Sequence, residues 1–113
     1  MDNEIPNATW KDRVLYFAGR RQAYLIEGDS MLPTLNDGDA VLIKPTRDIV
    51  VGDVILAYHP FKSSVTILKR VAEVAADGSL TLSGDNLAES TDSRSFGAVS
   101  VESIIGRVIC RLK

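Results

Sequence analysis

Apolar residues follow two rhythms along this chain. Over residues 10–22 they recur at helical spacing, as Trp10, Val14 and Phe17, with Thr9 placed as an N-cap and Gly19 as a stop. A short helix is predicted there, with Lys11, Arg13, Arg20 and Arg21 on its wet side. From Tyr24 onward the runs are short, rich in Val, Ile and Leu, and broken by turn residues. They cover residues 24–26, 40–43, 54–57, 65–74, 80–82 and 99–112. Asn36-Asp37-Gly38-Asp39, Gly52-Asp53 and His59-Pro60 punctuate them, and Asp77-Gly78 is the strongest hairpin signal. Many short strands at this spacing predict a mostly-β domain, a compact closed or partly open barrel or sandwich. Residues 1–23 are expected to form a leader and short helix, and residues 24–113 a single β domain.

Composition narrows the classes. The chain has 113 residues, 45% hydrophobic and 25% charged, which suits one core and leaves no room for a second domain. A net charge of -2 gives no electrostatic footprint for nucleic acid. The single cysteine, Cys110, excludes an internal disulfide and fits a reducing compartment; alternating with Val108 and Leu112, it reads as a small core residue. Residues 14–18 are the longest early apolar run and fall far short of the ~20 needed to cross a bilayer. A soluble, cytoplasmic protein without a membrane anchor is expected. No Cys, His and carboxylate spacing suits a metal, so neither metal nor cofactor is expected.

The candidate chemistry begins at residues 26–35. The run breaks at Gly28-Asp29, presents Ser30, and is fixed again by Pro33. A serine there either marks an ordinary turn or exposes a nucleophile beside backbone N–H groups able to hold an oxyanion. The base has two candidates. His59, the only histidine, has no spacing that supports a triad. Lys69 lies between Ile67 and Val71 on the strand face that ought to be core. Buried, its amine would shed its proton readily and accept one from Ser30. Alternatively its stem covers apolar surface while the ammonium reaches water.

Three stretches in order tip these alternatives. GDSMLPTL with the following GDAVLI (28–43), ILKRV (67–71) and GDNLAESTDSRSFGAV (84–99) resemble the catalytic boxes of the signal peptidase I family of serine–lysine proteases. GDVILAYHP (52–60) resembles a further framework box. Within that family the third box is most similar to that of the nickel-type superoxide dismutase maturation proteases. The resemblance implies Ser30 as nucleophile and oxyanion donor through its N–H, and Lys69 as general base. It implies Ser90 as the hydroxyl orienting the lysine, with Asp92 and Arg94 bracing that loop. It also implies a shallow pocket for small side chains lined by Ile26, Met31, Leu35 and Leu68. The implied partner is a precursor protein, the nickel superoxide dismutase precursor, whose leader is removed. The chain departs from the membrane-bound enzymes in lacking an anchor and a large insertion before the third box. Gly28 also stands where many have a serine that completes the oxyanion hole. Two rivals stand beside this reading. One is a LexA-type switch cutting itself at Ala18-Gly19, eleven residues before Ser30; the other is a barrel that binds without catalysing.

Overall fold

The computed structural model describes residues 5–62, 64–86 and 97–112. Helix α1 (Trp10–Phe17) precedes six strands: β1 (Gln22–Leu25), β2 (Ala40–Lys44), β3 (Val54–Tyr58), β4 (Thr66–Val74), β5 (Leu80–Ser83) and β6 (Ile104–Leu112). All pair antiparallel in one sheet, ordered β1-β2-β6-β3-β4-β5, which does not close on itself. The mostly-β expectation holds, in its open form.

The centre of the sheet explains the unbroken apolar runs. Along β3, Val54 and Leu56 enter one cluster with Ile26, Met31, Leu35, Val41, Ile43, Leu68 and Val108. Ile55 and Ala57 enter a second, on the opposite face, with Val71, Leu80, Leu82, Val99 and Ile104. A strand covered on both faces has no polar side to show, so period-2 alternation disappears. Asp77-Gly78 forms the expected hairpin, with Gly78 at φ 88 and its N–H donating to the Ala75 carbonyl at 2.9 Å.

Two expectations need correction. The last run is not all strand: Val99 makes an isolated bridge to Leu80, Val101–Ser103 is a 3-10 turn, and β6 starts at Ile104. The Ser100 side chain caps that turn by accepting from the Glu102 N–H, which takes the backbone out of the ladder. Helix α1 starts as expected, in a capping box between Thr9 and Asp12, but ends at Phe17 and buries none of its residues. Its outward side is apolar, with Trp10 70% and Phe17 84% exposed.

Gly106 marks the tightest approach in the sheet. A Cβ there would lie 2.4 Å from the Lys44 carbonyl oxygen and 2.6 Å from Ile43 Cγ2. The β2–β6 register shifts between Leu42 and Ile43, beside this contact. Gly106→Ala should therefore lower stability by about 1–3 kcal/mol, the usual cost of forcing atoms into a packed core. Urea denaturation measures it, and an unchanged midpoint would refute the close approach.

Candidate active site

The turn that carries Ser30 is built from its hydrophobic neighbours. Met31 and Leu35 sit one helical turn apart, 1% and 0% exposed, so both side chains are driven into the core beneath the serine. The Thr34 and Leu35 N–H groups donate to the Met31 carbonyl at 2.9 and 3.0 Å, and the Leu32 N–H to the Asp29 carbonyl at 3.2 Å. Gly28 opens the turn at φ 87, a left-handed conformation that suits glycine, and its N–H donates to Asp37 Oδ1 at 2.7 Å. Ser30 itself stays partly exposed.

Lys69 comes to the same place from β4. It is 6% exposed and stands opposite Ile55 in the β3–β4 ladder. Its neighbour Leu68 turns to the other face, opposite Leu56. Ser30 and Lys69 line one cavity of about 180 Å³ with Ile26, Met31 and Leu68. Tyr24, Glu27, Thr66 and Ile67 complete its wall. That volume is below the ~300–1,000 Å³ of a pocket for a whole small molecule. It is sized for one small side chain of a longer ligand.

The site residues expected from the sequence separate into three groups. Ser30, Lys69, Ile26, Met31 and Leu68 come together on the cavity. Leu35 does not line it; fully buried, it anchors the turn from below. Ser90, Asp92 and Arg94 lie outside the described residues. His59 sits past the end of β3, its Nδ1 accepting from the Phe61 N–H at 3.1 Å, and is not on the cavity wall. Burial, and then the Asp12 charge, push the Cys110 thiol up to about 11, so it is no competing nucleophile at neutral pH. Among the described residues no His, Cys, Asp and Glu side chains gather as a metal site.

The start of the third box, which the resemblance assigns to Gly84, Asp85 and Asn86, braces the site through Arg70. Arg70 donates from Nε and Nη2 to the two carboxylate oxygens of Asp85, both at 2.8 Å, and from Nη1 to the Gly52 carbonyl at 2.7 Å. Thr34 Oγ1 donates to the same carboxylate. Asn86 donates from its backbone N–H to the Ser30 carbonyl at 2.8 Å and from Nδ2 to the Asp29 carbonyl at 3.1 Å. The lysine strand and the serine turn are thus fastened to one two-residue segment. The signal was present in the sequence, as an arginine beside Lys69 and an Asp-Asn pair opening the third box. Their partnership depends on a contact fifteen residues apart.

The antiparallel sheet thus carries a partly exposed serine and a buried lysine on one small cavity. Residues 3–109 match the Peptidase S24-like family, and the chain belongs to it. It is 31% identical to the mitochondrial inner membrane protease subunit 1 of Schizosaccharomyces pombe, over 80% of this chain and 73% of that protein. The Xenopus tropicalis subunit 1 is 34% identical, over 80% of this chain and 68% of its own length. The mitochondrial ATP-independent inner membrane protease subunit 1a of Arabidopsis thaliana is 32% identical, over 77% and 67%. These relatives are not nickel superoxide dismutase maturation proteases, and their names place them at a membrane rather than in the cytoplasm. No helix among the described residues is long and apolar enough to cross one.

Asp85 is largely shielded from water, and burial alone would raise its pKa. The Arg70 fork and the Thr34 hydroxyl outweigh that and hold the carboxyl below its usual value. A depressed folded-state pKa stabilises the protein above the unfolded value of ~3.9, and that stability is lost as pH falls through the folded pKa. Asp85→Asn should therefore flatten the acid limb of a plot of unfolding free energy against pH. Arg70→Met, which strands the carboxylate, should cost about 3–5 kcal/mol at pH 7. An acid limb unchanged in Asp85→Asn would remove the pair from the account.

Proposed function

We propose that this chain is a serine endopeptidase in which Lys69 takes the Ser30 proton, and that it trims an N-terminal leader from a precursor protein. One observation carries the reading: Ser30 and Lys69 line the same small cavity, with the lysine withdrawn from water. Burial favours the neutral amine, which accepts the Ser30 proton as Oγ attacks the scissile carbonyl. The oxyanion is stabilised by backbone N–H donors of the serine turn, Ser30 first. Collapse breaks the peptide bond, and the Lys69 ammonium returns its proton to the departing amine. Water, deprotonated by the Lys69 amine, then attacks the acyl carbonyl, and Ser30 Oγ leaves, taking that proton back.

The strand edges support an extended substrate. Tyr24 at the end of β1 and Thr66 at the start of β4 both line the cavity, with Tyr24 Oη and Thr66 Oγ1 3.4 Å apart. Among the described residues β1 pairs only with β2, and β5 accompanies β4 only from Arg70 to Val74. A peptide laid along these edges would add a strand by main-chain hydrogen bonds and drop a small side chain between Ile26, Met31 and Leu68.

Self-cleavage at Ala18-Gly19 fits less well. That bond closes helix α1, with the Ala18, Gly19 and Arg20 N–H groups donating to the Val14, Tyr16 and Leu15 carbonyls at 2.8–3.0 Å. It would have to unwind before entering an extended site. A binding module without catalysis gains nothing from burying a lysine on the cavity that also holds a serine.

For the substrate, the third-box resemblance favours a nickel superoxide dismutase precursor met in the cytoplasm, whereas the relatives' names favour a precursor at a membrane. Incubation of the nickel superoxide dismutase precursor with the protein, followed by N-terminal sequencing, decides between them. We expect one cut, at the junction of leader and mature chain, and none when the residue before it is made bulky. An intact precursor moves the substrate to another protein, and a clipped Ala18-Gly19 bond establishes the self-cleaving reading.

The dyad is tested separately on any cleaved peptide. Ser30→Ala and Lys69→Ala should each lower kcat at least ~10³-fold, as loss of a nucleophile or base does. Lys69→Arg should fail equally, since guanidinium stays charged. Wild-type cleavage should climb with pH as the ammonium gives up its proton. Activity retained in Lys69→Arg would overturn the role of the lysine.

A further inference from the structure

Helix α1 is turned the wrong way round for a packed amphipathic helix. Trp10, Val14 and Phe17 follow i, i+4, i+7 spacing and lie on one stripe, which is 70%, 56% and 84% exposed. Lys11 and Arg13 flank that stripe, and Arg20 and Arg21 follow the helix. Asp12 looks away from it, held by the Thr9 backbone N–H at 2.8 Å in the capping box and lying against Cys110. Between Trp10 and Arg21 there are four basic residues and one acidic, in a chain whose net charge is -2. Lys11 Nζ stands 5.8 Å over the Trp10 ring.

We propose that this face docks the protein on an anionic lipid surface, with Trp10, Val14 and Phe17 entering the headgroup boundary and Lys11, Arg13 and Arg20 engaging lipid phosphates. Aromatic and aliphatic residues flanked by cations are what an interfacial helix requires. Tryptophan prefers headgroup depth, and long basic side chains keep their charge in the polar layer while their stems lie on apolar surface. A second copy of the chain is the poorer occupant. A two-fold contact on this stripe would set its flanking cations against their equivalents. An eight-residue helix, about 12 Å long, also offers far less than the ~800 Å² per partner of a stable protein interface. The inference uses no residue of the Ser30–Lys69 cavity and stands or falls independently of it.

Trp10 is the only tryptophan, so its fluorescence reports this face alone. The full chain is titrated with vesicles of phosphatidylcholine alone and of equimolar phosphatidylcholine and phosphatidylglycerol, alongside co-sedimentation. Expected are a blue shift and co-sedimentation with the anionic vesicles, weakening as salt is raised. Lys11→Glu with Arg13→Glu, and separately Val14→Asp with Phe17→Asp, should each reduce partitioning about tenfold or more. All four side chains are exposed, so the fold should persist, with circular dichroism and the melting temperature as checks. Where the Asp pair does perturb the fold, Phe17→Ser alone replaces it. Absence of a blue shift on anionic vesicles overturns the proposal. So does equal binding to neutral vesicles, or a dimer in solution that Phe17→Asp dissolves.

Discussion

One carboxylate, Asp85, is shared between parts of the chain that must stay in register for the cavity to exist. It accepts two hydrogen bonds from Arg70 on β4 and one from Thr34 in the serine turn. Asn86, next in the chain, holds the carbonyls of Asp29 and Ser30. The Arg70 and Asp85 side chains keep only 15% and 14% of their exposure. At such burial, losing one partner costs much more than the pair's net contribution, because the other charge is left without compensation. The arrangement thus resists small displacements, which is what positioning a reactive oxygen against a base demands.

The same strand carries Lys69 and Arg70 side by side. Residues 68–71 alternate sharply, with Leu68 in one cluster, Val71 in the other, Lys69 toward the cavity and Arg70 toward Asp85. Two consecutive cations would not normally enter a strand whose neighbours are core. Here each is assigned to a polar region on its own side of the sheet, and the apolar residues around them fill both clusters. β3 supplies the counterpart, with Ile55 opposite Lys69 and Leu56 opposite Leu68.

Much of this was legible in the sequence because it depends on neighbours in the chain. The strands, the Asp77-Gly78 hairpin, the Thr9 cap and the inward side of Lys69 all follow from local pattern and alternation. What escaped depends on distant contacts. Leu35 has the hydrophobicity of a pocket residue, and only the turn geometry sends it beneath Ser30 instead of beside it. The partner of Arg70 is not legible from its strand, because Asp85 approaches through the β4–β5 hairpin. The stripe of α1 has the spacing of a core-facing helix, and nothing local says that the sheet leaves it uncovered. Ser90, Asp92 and Arg94 lie outside the described residues.

Gly28 shows where turn geometry and oxyanion chemistry meet. Enzymes this chain resembles often carry a serine there, whose hydroxyl serves as a second oxyanion donor. At φ 87 a side chain would be strained, although a Cβ would meet nothing within 4 Å. The strain amounts to about 1–2 kcal/mol, whereas one oxyanion donor is worth about 3–4 kcal/mol. Backbone strain by itself therefore does not account for the glycine. Its N–H is already given to Asp37 at 2.7 Å, so it cannot substitute for the missing hydroxyl without breaking the contact that starts the turn. In the proposed reaction the developing charge must consequently rest on N–H donors beyond Gly28. That places the burden of rate on how rigidly the Asp85–Asn86 segment holds the serine turn.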